Sequence, residues 1–247
     1  MKIFAVGMNY KPHIEELEKL QPISPTATKP ISPSSPISPS GLSGLSGPSS
    51  PIAPSPVIFT KADSALLKDQ KPFFIPDDMG RIDYEGELVV RICRLGKSIP
   101  ERFAHRYYDA VTVGIDFTAR DLQKQAREQG LPWTICKGFD GSACIGEWLT
   151  LSSLSTPSSP IGPSSPSSPT PPITFHHDKN GQTVQQGSTA DMLFSIDQLI
   201  AYISRFFTLK TGDLLFTGTP AGVGPVAIDD HLQGYIGNRL VLDFRCK

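Results

Sequence analysis

The stretch RIDYEGELVVRIC (residues 81–93) contains both a strand signal and a pair of closely spaced acidic residues. Val89 and Val90 predict a β-strand, because β-branched side chains favour a pleated backbone. Side chains of a strand alternate between its two faces, so Glu85 and Glu87 should project from the same face. Neighbouring carboxylates repel each other, and therefore solvent, a basic partner or a bound cation must offset their repulsion.

Segments on both sides of this stretch predict further strands. Residues 2–7 (KIFAVG), 109–116 (DAVTVGID) and 212–216 (GDLLF) are short, largely apolar runs. The pairs Asn180-Gly181 and Gly237-Asn238 are typical of tight hairpin turns. Many short strands with regular turn signals and few helices predict a β-rich α+β domain rather than a doubly wound one.

Capping residues and apolar spacing predict three main helices. The first covers residues 9–20, where Pro12 suits the opening turn. A second covers residues 119–129, with Thr118 and Asp121 as a predicted capping pair. The third helix is the longest, and Ser195 and Gln198 form its predicted capping box. Its apolar stripe consists of Ile196, Leu199, Ile200, Ile203, Phe206 and Phe207.

Length, charge and cysteine usage indicate a cytoplasmic protein. The chain has 247 residues and a formal net charge of -1, so no nucleic-acid or membrane partner is expected. The apolar run at the N terminus is too short for a signal peptide, and no run approaches the ~18 residues needed to cross a bilayer. The four cysteines show no CxxC spacing, which predicts reduced thiols.

Two tracts rich in proline and serine interrupt the chain. Ten prolines fall in residues 21–57 and seven in residues 152–172. Such tracts lack the apolar content needed for packing and favour extended, solvated backbone. We therefore predict one domain over residues 1–247, interrupted by two low-complexity insertions at 21–57 and 152–172.

A third carboxylate accompanies the pair in the opening stretch. Asp116 ends the predicted strand VTVGID, as Glu85 and Glu87 flank the start of another. Carboxylates near strand ends, without a matching Cys or His cluster, are hard oxygen ligands suited to Mg²⁺, Mn²⁺ or Ca²⁺. An isolated E-x-E pair also occurs on solvated strand faces, and the residues alone leave both interpretations open.

Several other polar residues have a functional and an ordinary interpretation. Arg120 and Gln123 can face one point of a helix and bind a substrate carboxylate, or lie on an exposed helix face. Lys137 follows an apolar run and is either buried in a site or extended to the surface. His13 and Glu16 can form a carboxylate–imidazole pair that activates water, although a single H-x-x-E is common.

The glycine-rich segment GTPAGVG (residues 218–224) is not a nucleotide-binding loop. No Lys-Ser/Thr follows it to make a P-loop, and the sequence after it does not predict the helix that a Rossmann glycine loop opens. We expect this loop to bring backbone N–H groups and the Thr219 hydroxyl close to a small ligand.

Taken together, five segments resemble the fumarylacetoacetate hydrolase superfamily, in particular its short, acylpyruvase-like branch. They occur in the family's order and cover nearly all of the chain outside the two tracts: GMNYKPHIEE (7–16), IDYEGELVV (82–90), VGIDFTARDLQ (113–123), PWTICKGFDG (132–141) and GDLLFTGTPAGVG (212–224). The family commonly has Lys-Pro where this chain has Lys61-Ala62, and the Pro/Ser tracts are not part of its usual pattern.

The resemblance implies a mixed β-sandwich roll that is usually dimeric, with Mg²⁺ as the usual metal and Mn²⁺ or Ca²⁺ as alternatives. It implies that Glu85, Glu87 and Asp116 bind the metal, so that a divalent cation holds the opening pair of glutamates together. The other implied site residues are the substrate-binding Arg120, Gln123 and Thr219, the active-site Lys137, and the lid pair His13 and Glu16.

The activity implied by the resemblance is metal-dependent hydrolysis of a C–C bond in a 3-acylpyruvate-type β-diketo acid. Glu16 would act through His13 to deprotonate a water, and Lys137 would stabilise the pyruvate enolate that leaves. Oxaloacetate decarboxylation would form the same enolate without water. Alternatives are an isomerase or tautomerase of a 2-hydroxy-dienoate or oxaloacetate, and a non-catalytic metal- or partner-binding protein. The expected ligand is a small 2-oxo acid, and the expected assembly is a homodimer.

Overall fold

The computed structural model describes residues 1–20, 55–154 and 172–247. The strands are β1 (Ile3–Gly7), β2 (Val57–Lys61), β3 (Leu66–Leu67), β4 (Ile82–Tyr84), β5 (Gly86–Ile92), β6 (Tyr108–Asp116), β7 (Thr118–Ala119), β8 (Ala143–Ile145), β9 (Leu149–Thr150), β10 (Thr174–Lys179), β11 (Gln182–Ser188), β12 (Leu214–Phe216), β13 (Gly224–Pro225), β14 (His231–Ile236) and β15 (Arg239–Arg245). The helices are α1 (Lys11–Leu20), α2 (Glu101–Ala104), α3 (Arg120–Gln129), α4 (Thr134–Gly138), α5 (Leu151–Leu154) and α6 (Ile196–Phe206). Most of both predicted insertions lies outside the described residues.

The strands form two layers and one small sheet. The largest sheet has the order β2-β1-β12-β5-β6-β8-β3, with β9 also paired to β6. In it β1 runs parallel to β12 and β3 parallel to β8, whereas the other neighbours are antiparallel. An antiparallel sheet, β11-β10-β14-β15, packs on it through contacts of β14 and β15 with β6 and of β10 with β5. This architecture confirms the predicted β-rich α+β class with mixed sheets.

The centre of the large sheet is the antiparallel pair β5–β6. Leu88 lies opposite Val113 and Val90 opposite Val111, and all four side chains are fully buried. Both faces of these strands are covered, which explains the nearly continuous apolar runs in the sequence. The pairing also places the start of β5 beside the end of β6, since Gly86 lies opposite Ile115. The acidic ends of the two strands therefore meet at one edge of the core.

Helix α6 confirms its predicted capping box. The Ser195 hydroxyl accepts from the Gln198 N–H, and the Gln198 side chain accepts from the Ser195 N–H. The first four residues of the predicted stripe are buried, but Phe206 is 57% and Phe207 41% exposed. The predicted stripe is thus too long by these two residues, because the helix ends at Phe206 before another turn can pack.

The start of α3 corrects a sequence prediction. Ala119 is the N-cap residue, and no side chain caps the helix. The predicted Thr118–Asp121 pair is wrong because both side chains have other partners. The Thr118 hydroxyl donates to the Asp116 carbonyl, and the Asp121 carboxylate accepts from the Arg81 N–H. The C-terminal end is as predicted, with Gly130 in the left-handed conformation at φ 66°.

Both predicted hairpins are confirmed. Strands β10 and β11 join at Asn180-Gly181, and β14 and β15 join at Gly237-Asn238. Asn180, Gly181 and Gly237 have positive φ, as such tight turns require. In the described parts of the chain, no helix is long and apolar enough to span a bilayer.

Candidate active site

The predicted metal ligands come together where β5 begins and β6 ends. Glu85 lies in the break between β4 and β5, Glu87 is the second residue of β5, and Asp116 is the last residue of β6. One carboxylate oxygen from each lies within 4.8 Å of the others, and all three side chains are buried. Antiparallel pairing thus converts two acidic sites that are distant in sequence into one cluster of oxygen ligands.

Glu85 is neutralised by two cationic side chains. Lys137 Nζ donates to Glu85 Oε2 at 2.6 Å, and Arg120 Nη2 donates to Glu85 Oε1 at 2.8 Å. Burial alone would raise the pKa of the Glu85 carboxyl, but the charges of Lys137 and Arg120 outweigh it and hold the pKa well below its usual range. Glu85 is therefore ionised, as a metal ligand must be.

Glu87 is buried without a cationic partner among the described residues. It accepts one hydrogen bond, from the Gly218 N–H at 2.7 Å. Burial, and then the charge of nearby Asp116, raise the pKa of the Glu87 carboxyl well above its ordinary value. A divalent cation between Glu87, Glu85 and Asp116 would supply the missing positive charge, and three carboxylates are the donor set that such hard cations prefer. The residues therefore fit the implied metal.

Lys137 is fully buried within the cluster. Its ammonium also donates to Asp116 Oδ2 at 2.8 Å, so it connects two of the three carboxylates. Burial alone would lower the pKa of Lys137, but the charges of Asp116 and Glu85 outweigh it and raise the pKa. The two carboxylates thus favour the charged form of Lys137, which suits it to stabilise negative charge. Of its two interpretations from sequence, the structure supports the buried one.

Lys61 is a second buried lysine that sequence reasoning did not select. It is the last residue of β2, and its Nζ lies 2.6 Å from Asp116 Oδ1. The same ammonium donates to the Lys137 carbonyl and to the Ser142 carbonyl at 3.1 Å. Lys61 therefore fixes both a metal ligand and the backbone that carries Lys137. The only sequence signal was a lysine at the end of a strand, in the Lys-Pro position of the family.

The lid pair is close to the carboxylate cluster. His13 on α1 is 4% exposed, and its Nδ1 lies 3.3 Å from Glu16 Oε2. The carboxylate of Glu16 also accepts from the Gly222 N–H at 3.2 Å, which links α1 to the glycine-rich loop. Gly222 has φ 101°, and a Cβ there would collide with the Val184 carbonyl, so only glycine fits this contact. Glu16 thus orients the imidazole while being held by the loop.

The predicted substrate-binding residues differ in how free their polar groups are. Arg120 donates from Nε to Asp83 and from Nη1 to Gln123 in addition to its contact with Glu85, which leaves two of its five N–H groups for a ligand. The Thr219 hydroxyl donates to the Gly86 carbonyl and accepts from Gln185, both at 2.9 Å. These bonds use the O–H donor and one of the two lone pairs, so the hydroxyl can still accept a hydrogen bond, and its role in contacting substrate stays a prediction.

One cavity collects most of these groups. Of the predicted site residues, all but Glu16 and Glu87 line it: His13, Glu85, Asp116, Arg120, Gln123, Lys137 and Thr219. The apolar part of its lining includes Phe59 and Trp133, whose rings pack edge to face at 5.6 Å. The cavity therefore combines a charged cluster with an aromatic wall.

Two residues behind the cluster were also missed from sequence. Gln185 on β11 accepts from the Gly86 N–H and donates to Thr219, so it ties the E-G-E segment to the glycine-rich loop. His177 on β10 packs against Gly86, where a Cβ would overlap the imidazole. Neither ring nitrogen makes a well-formed hydrogen bond. Glycine between the two glutamates is thus required by close packing of the second sheet.

The buried His177 makes stability depend on pH. Burial lowers its pKa to about 3, whereas an unfolded histidine titrates near ~6.5. Below pH ~6.5 His177 binds a proton in the unfolded chain but not in the folded protein. The free energy of unfolding should therefore fall by up to about 1.4 kcal/mol for each unit that the pH decreases, until pH ~3. His177→Asn should reduce this slope between pH 6 and 4 in denaturant titrations. The control His176→Asn removes the neighbouring, half-exposed ring and should keep the wild-type slope. An unchanged slope in His177→Asn would contradict the assignment.

The β-rich fold brings together three buried carboxylates that could hold a metal ion. Residues 2–241 match the family described as fumarylacetoacetate (FAA) hydrolase C-terminal, and the chain belongs to this family.

Individual relatives carry names of related but different activities. The chain is 36% identical over 177 residues to an oxaloacetate tautomerase, YcgM, of Escherichia coli, covering 72% of this chain and 75% of the relative. It is 31% identical over 192 residues to the mitochondrial oxaloacetate tautomerase FAHD1 of Mus musculus, covering 78% and 81%. One similar solved structure is fumarylpyruvate hydrolase from Pseudomonas aeruginosa in complex with Mn²⁺ and pyruvate. Its TM-score is 0.74 at 28% sequence identity, and the match covers 100% of this chain and 89% of that chain.

Proposed function

We propose that the protein is a divalent-metal-dependent hydrolase that cleaves a C–C bond in a 3-acylpyruvate-type β-diketo acid. The observation that carries the proposal is that a buried lysine paired with carboxylates, Lys137, and a carboxylate-oriented imidazole, His13, line one cavity beside three carboxylates. Hydrolysis of this kind needs both a site for enolate charge and a base for water. Mg²⁺ is the proposed metal, with Mn²⁺ or Ca²⁺ as alternatives, because the ligands are all carboxylates.

A bound divalent cation would supply positive charge that polarises the carboxylate and keto oxygens of the 2-oxo acid. The two remaining N–H groups of Arg120 donate to the substrate carboxylate, and Gln123 fixes the orientation of the guanidinium by accepting from Nη1 at 2.6 Å. The aromatic wall formed by Phe59 and Trp133 excludes water from the carbon chain. The substrate is thereby held with its acyl carbonyl toward α1.

The base in this mechanism is the His13 imidazole. It takes a proton from a water that adds to the acyl carbonyl, while Glu16 holds the ring through Nδ1. The C–C bond then breaks, and its electron pair leaves as pyruvate enolate, whose charge Lys137 stabilises. The proton held by His13 passes to the enolate carbon, so the products are pyruvate and a carboxylic acid.

A second candidate is tautomerisation of oxaloacetate, and the names of the E. coli and mouse relatives favour it. This reaction would use the same cavity and the same enolate charge next to Lys137, but it moves a proton and needs no water. The two candidates therefore differ in the fate of the carbon skeleton.

The experiment that tests the proposal is product analysis by ¹H NMR. Acetylpyruvate and oxaloacetate are each incubated with the protein and Mg²⁺. The proposed hydrolase releases pyruvate and acetate from acetylpyruvate in equal amounts. If acetylpyruvate is recovered intact while the keto and enol forms of oxaloacetate exchange faster, the protein is a tautomerase and the proposal fails.

A further inference from the structure

A surface that does not line the active-site cavity combines cationic and apolar side chains. Gly96 and Leu209 form an antiparallel bridge, with backbone hydrogen bonds of 3.0 and 2.8 Å in the two directions. Leu209 is buried, so residues that alternate with the bridged pair project toward the opposite, solvent side. Leu95, Lys97 and Lys210 occupy these positions, and all three are exposed. The bridge therefore presents one apolar side chain between two lysines.

The last turn of α6 extends this surface. Lys97 Nζ donates to the Arg205 carbonyl at 3.2 Å, which holds the bridge beside the end of the helix. Phe206 is 57% exposed and Leu95 is 65% exposed. The Arg205 guanidinium lies 5.6 Å from the centroid of the Phe206 ring. We call these residues the α6-end surface: Leu95, Lys97, Arg205, Phe206 and Lys210.

The cations of the α6-end surface lack acidic partners. Among the described side chains, no carboxylate forms an ion pair with any of the three. Nearby Asp213 and Asp109 are paired with Lys2 and Arg91 instead. Residues 94–106 and 205–210 together contain six Lys and Arg residues and one carboxylate: Arg94, Lys97, Arg102, Arg106, Arg205 and Lys210, with Glu101. The even balance of the whole chain, 23 basic and 24 acidic residues, conceals this local excess of positive charge.

The mixture of charge and exposed apolar side chains favours one kind of partner. Unpaired Lys and Arg side chains are attracted to an anionic surface. A bilayer accepts protruding apolar side chains below its headgroups without a matching groove, whereas a folded protein must offer a pocket for each of them. Stacking of a nucleic-acid base on Phe206 is disfavoured, because Arg205 covers the ring and Tyr202 packs against it at 5.3 Å.

We propose that the α6-end surface binds the surface of an anionic lipid bilayer. Its three cations then lie at the headgroups, and its two apolar side chains insert below them. None of the five residues lines the active-site cavity, so the inference does not depend on the proposed function. It replaces the expectation, based on net charge alone, that the protein has no membrane partner.

The test is flotation with vesicles of phosphatidylcholine, prepared with and without phosphatidylserine. We expect the wild type to float only with the vesicles that contain phosphatidylserine, and to be released by high salt. Lys97→Gln combined with Lys210→Gln should lower the partition coefficient roughly 25-fold, about fivefold for each lysine near a charged bilayer. Leu95→Ser combined with Phe206→Ser should lower it by about tenfold, because less apolar surface is buried.

A matched control removes two lysines from another place. Lys68 and Lys71 are exposed in the turn after β3, at the opposite end of the large sheet from β2. Lys68→Gln combined with Lys71→Gln should keep the wild-type partition coefficient, and thermal unfolding checks that every variant is folded.

Three results would overturn the proposal. The first is that the wild type does not float with vesicles containing phosphatidylserine. The second is that the control pair weakens binding as much as Lys97→Gln with Lys210→Gln does. The third is that the apolar pair of substitutions leaves binding unchanged. Fluorescence anisotropy with a single-stranded oligonucleotide and with a polyglutamate peptide completes the test, because binding to either one in place of the vesicles would assign the surface to a different class of partner.

Discussion

Replacing Glu87 by Gln is expected to abolish activity while leaving a protein at least as stable as the wild type in EDTA. The amide loses the charge that binds a hard cation, so Mg²⁺ affinity should fall by more than the roughly 100-fold typical of losing an outer-shell partner. Stability should not fall, because Glu87 is buried without a cationic partner in the described part of the chain. The measurements are Mg²⁺ titration and thermal unfolding in EDTA.

Glu87 is a cleaner probe of the metal than Glu85. Glu85→Gln would leave the ammonium of Lys137 and the guanidinium of Arg120 short of a buried partner, and breaking such pairs costs about 3–5 kcal/mol. A matched control is Glu128→Gln, which removes an exposed carboxylate from α3 and should change neither Mg²⁺ affinity nor rate. Wild-type metal affinity and rate in Glu87→Gln would show that the cluster is not a metal centre.

Replacing His13 by Ala is expected to separate hydrolysis from decarboxylation. Hydrolysis of acetylpyruvate should slow by roughly 10²–10⁴-fold, the usual loss for a missing general base. Oxaloacetate decarboxylation should suffer much less, because it requires no water and Lys137 still stabilises the enolate. Lys137→Met should instead lower both rates, since both reactions form that enolate. The two rates are measured for each variant at saturating Mg²⁺.

The comparison has a built-in control in Glu16. If its role is to orient His13, Glu16→Gln should lower hydrolysis less than His13→Ala does, and again spare decarboxylation. Equal losses of the two activities in His13→Ala would contradict water activation. His13 would then be a residue that positions the substrate or closes the cavity.

Local signals in the sequence identified the three acidic residues, but alone they left a metal site and a solvated strand face both open. The alternation of strand side chains placed Glu85 and Glu87 on one side of the chain, and Asp116 was recognisable as the end of an apolar strand. Only pairing of β5 with β6 joins the two features, and the resemblance to a family supplied that step before the structure did. The hairpin turns and the capping box of α6 were predictable because the residues that determine them are neighbours in sequence.

Residues that act across the fold were not predictable in this way. Lys61 reaches Asp116 and the Lys137 backbone from another strand, and Gln185 reaches Gly86 from the second sheet. Apart from the family's Lys-Pro position at Lys61, nothing in the sequence near these residues distinguishes them from a surface lysine and a surface glutamine. The predicted cap at Thr118 and Asp121 was wrong because the Thr118 hydroxyl donates to the nearby Asp116 carbonyl, whereas the Asp121 carboxylate accepts from the distant Arg81 N–H.

The most direct test of the central claim is metal removal and restoration with acetylpyruvate as substrate. Pyruvate release is followed with a coupled lactate dehydrogenase assay, first with the protein stripped by EDTA and then after excess Mg²⁺ is added. The proposed function predicts no release from the stripped protein, full recovery with Mg²⁺ in the wild type, and no recovery in Glu87→Gln. Pyruvate release at the same rate with and without the metal would contradict it.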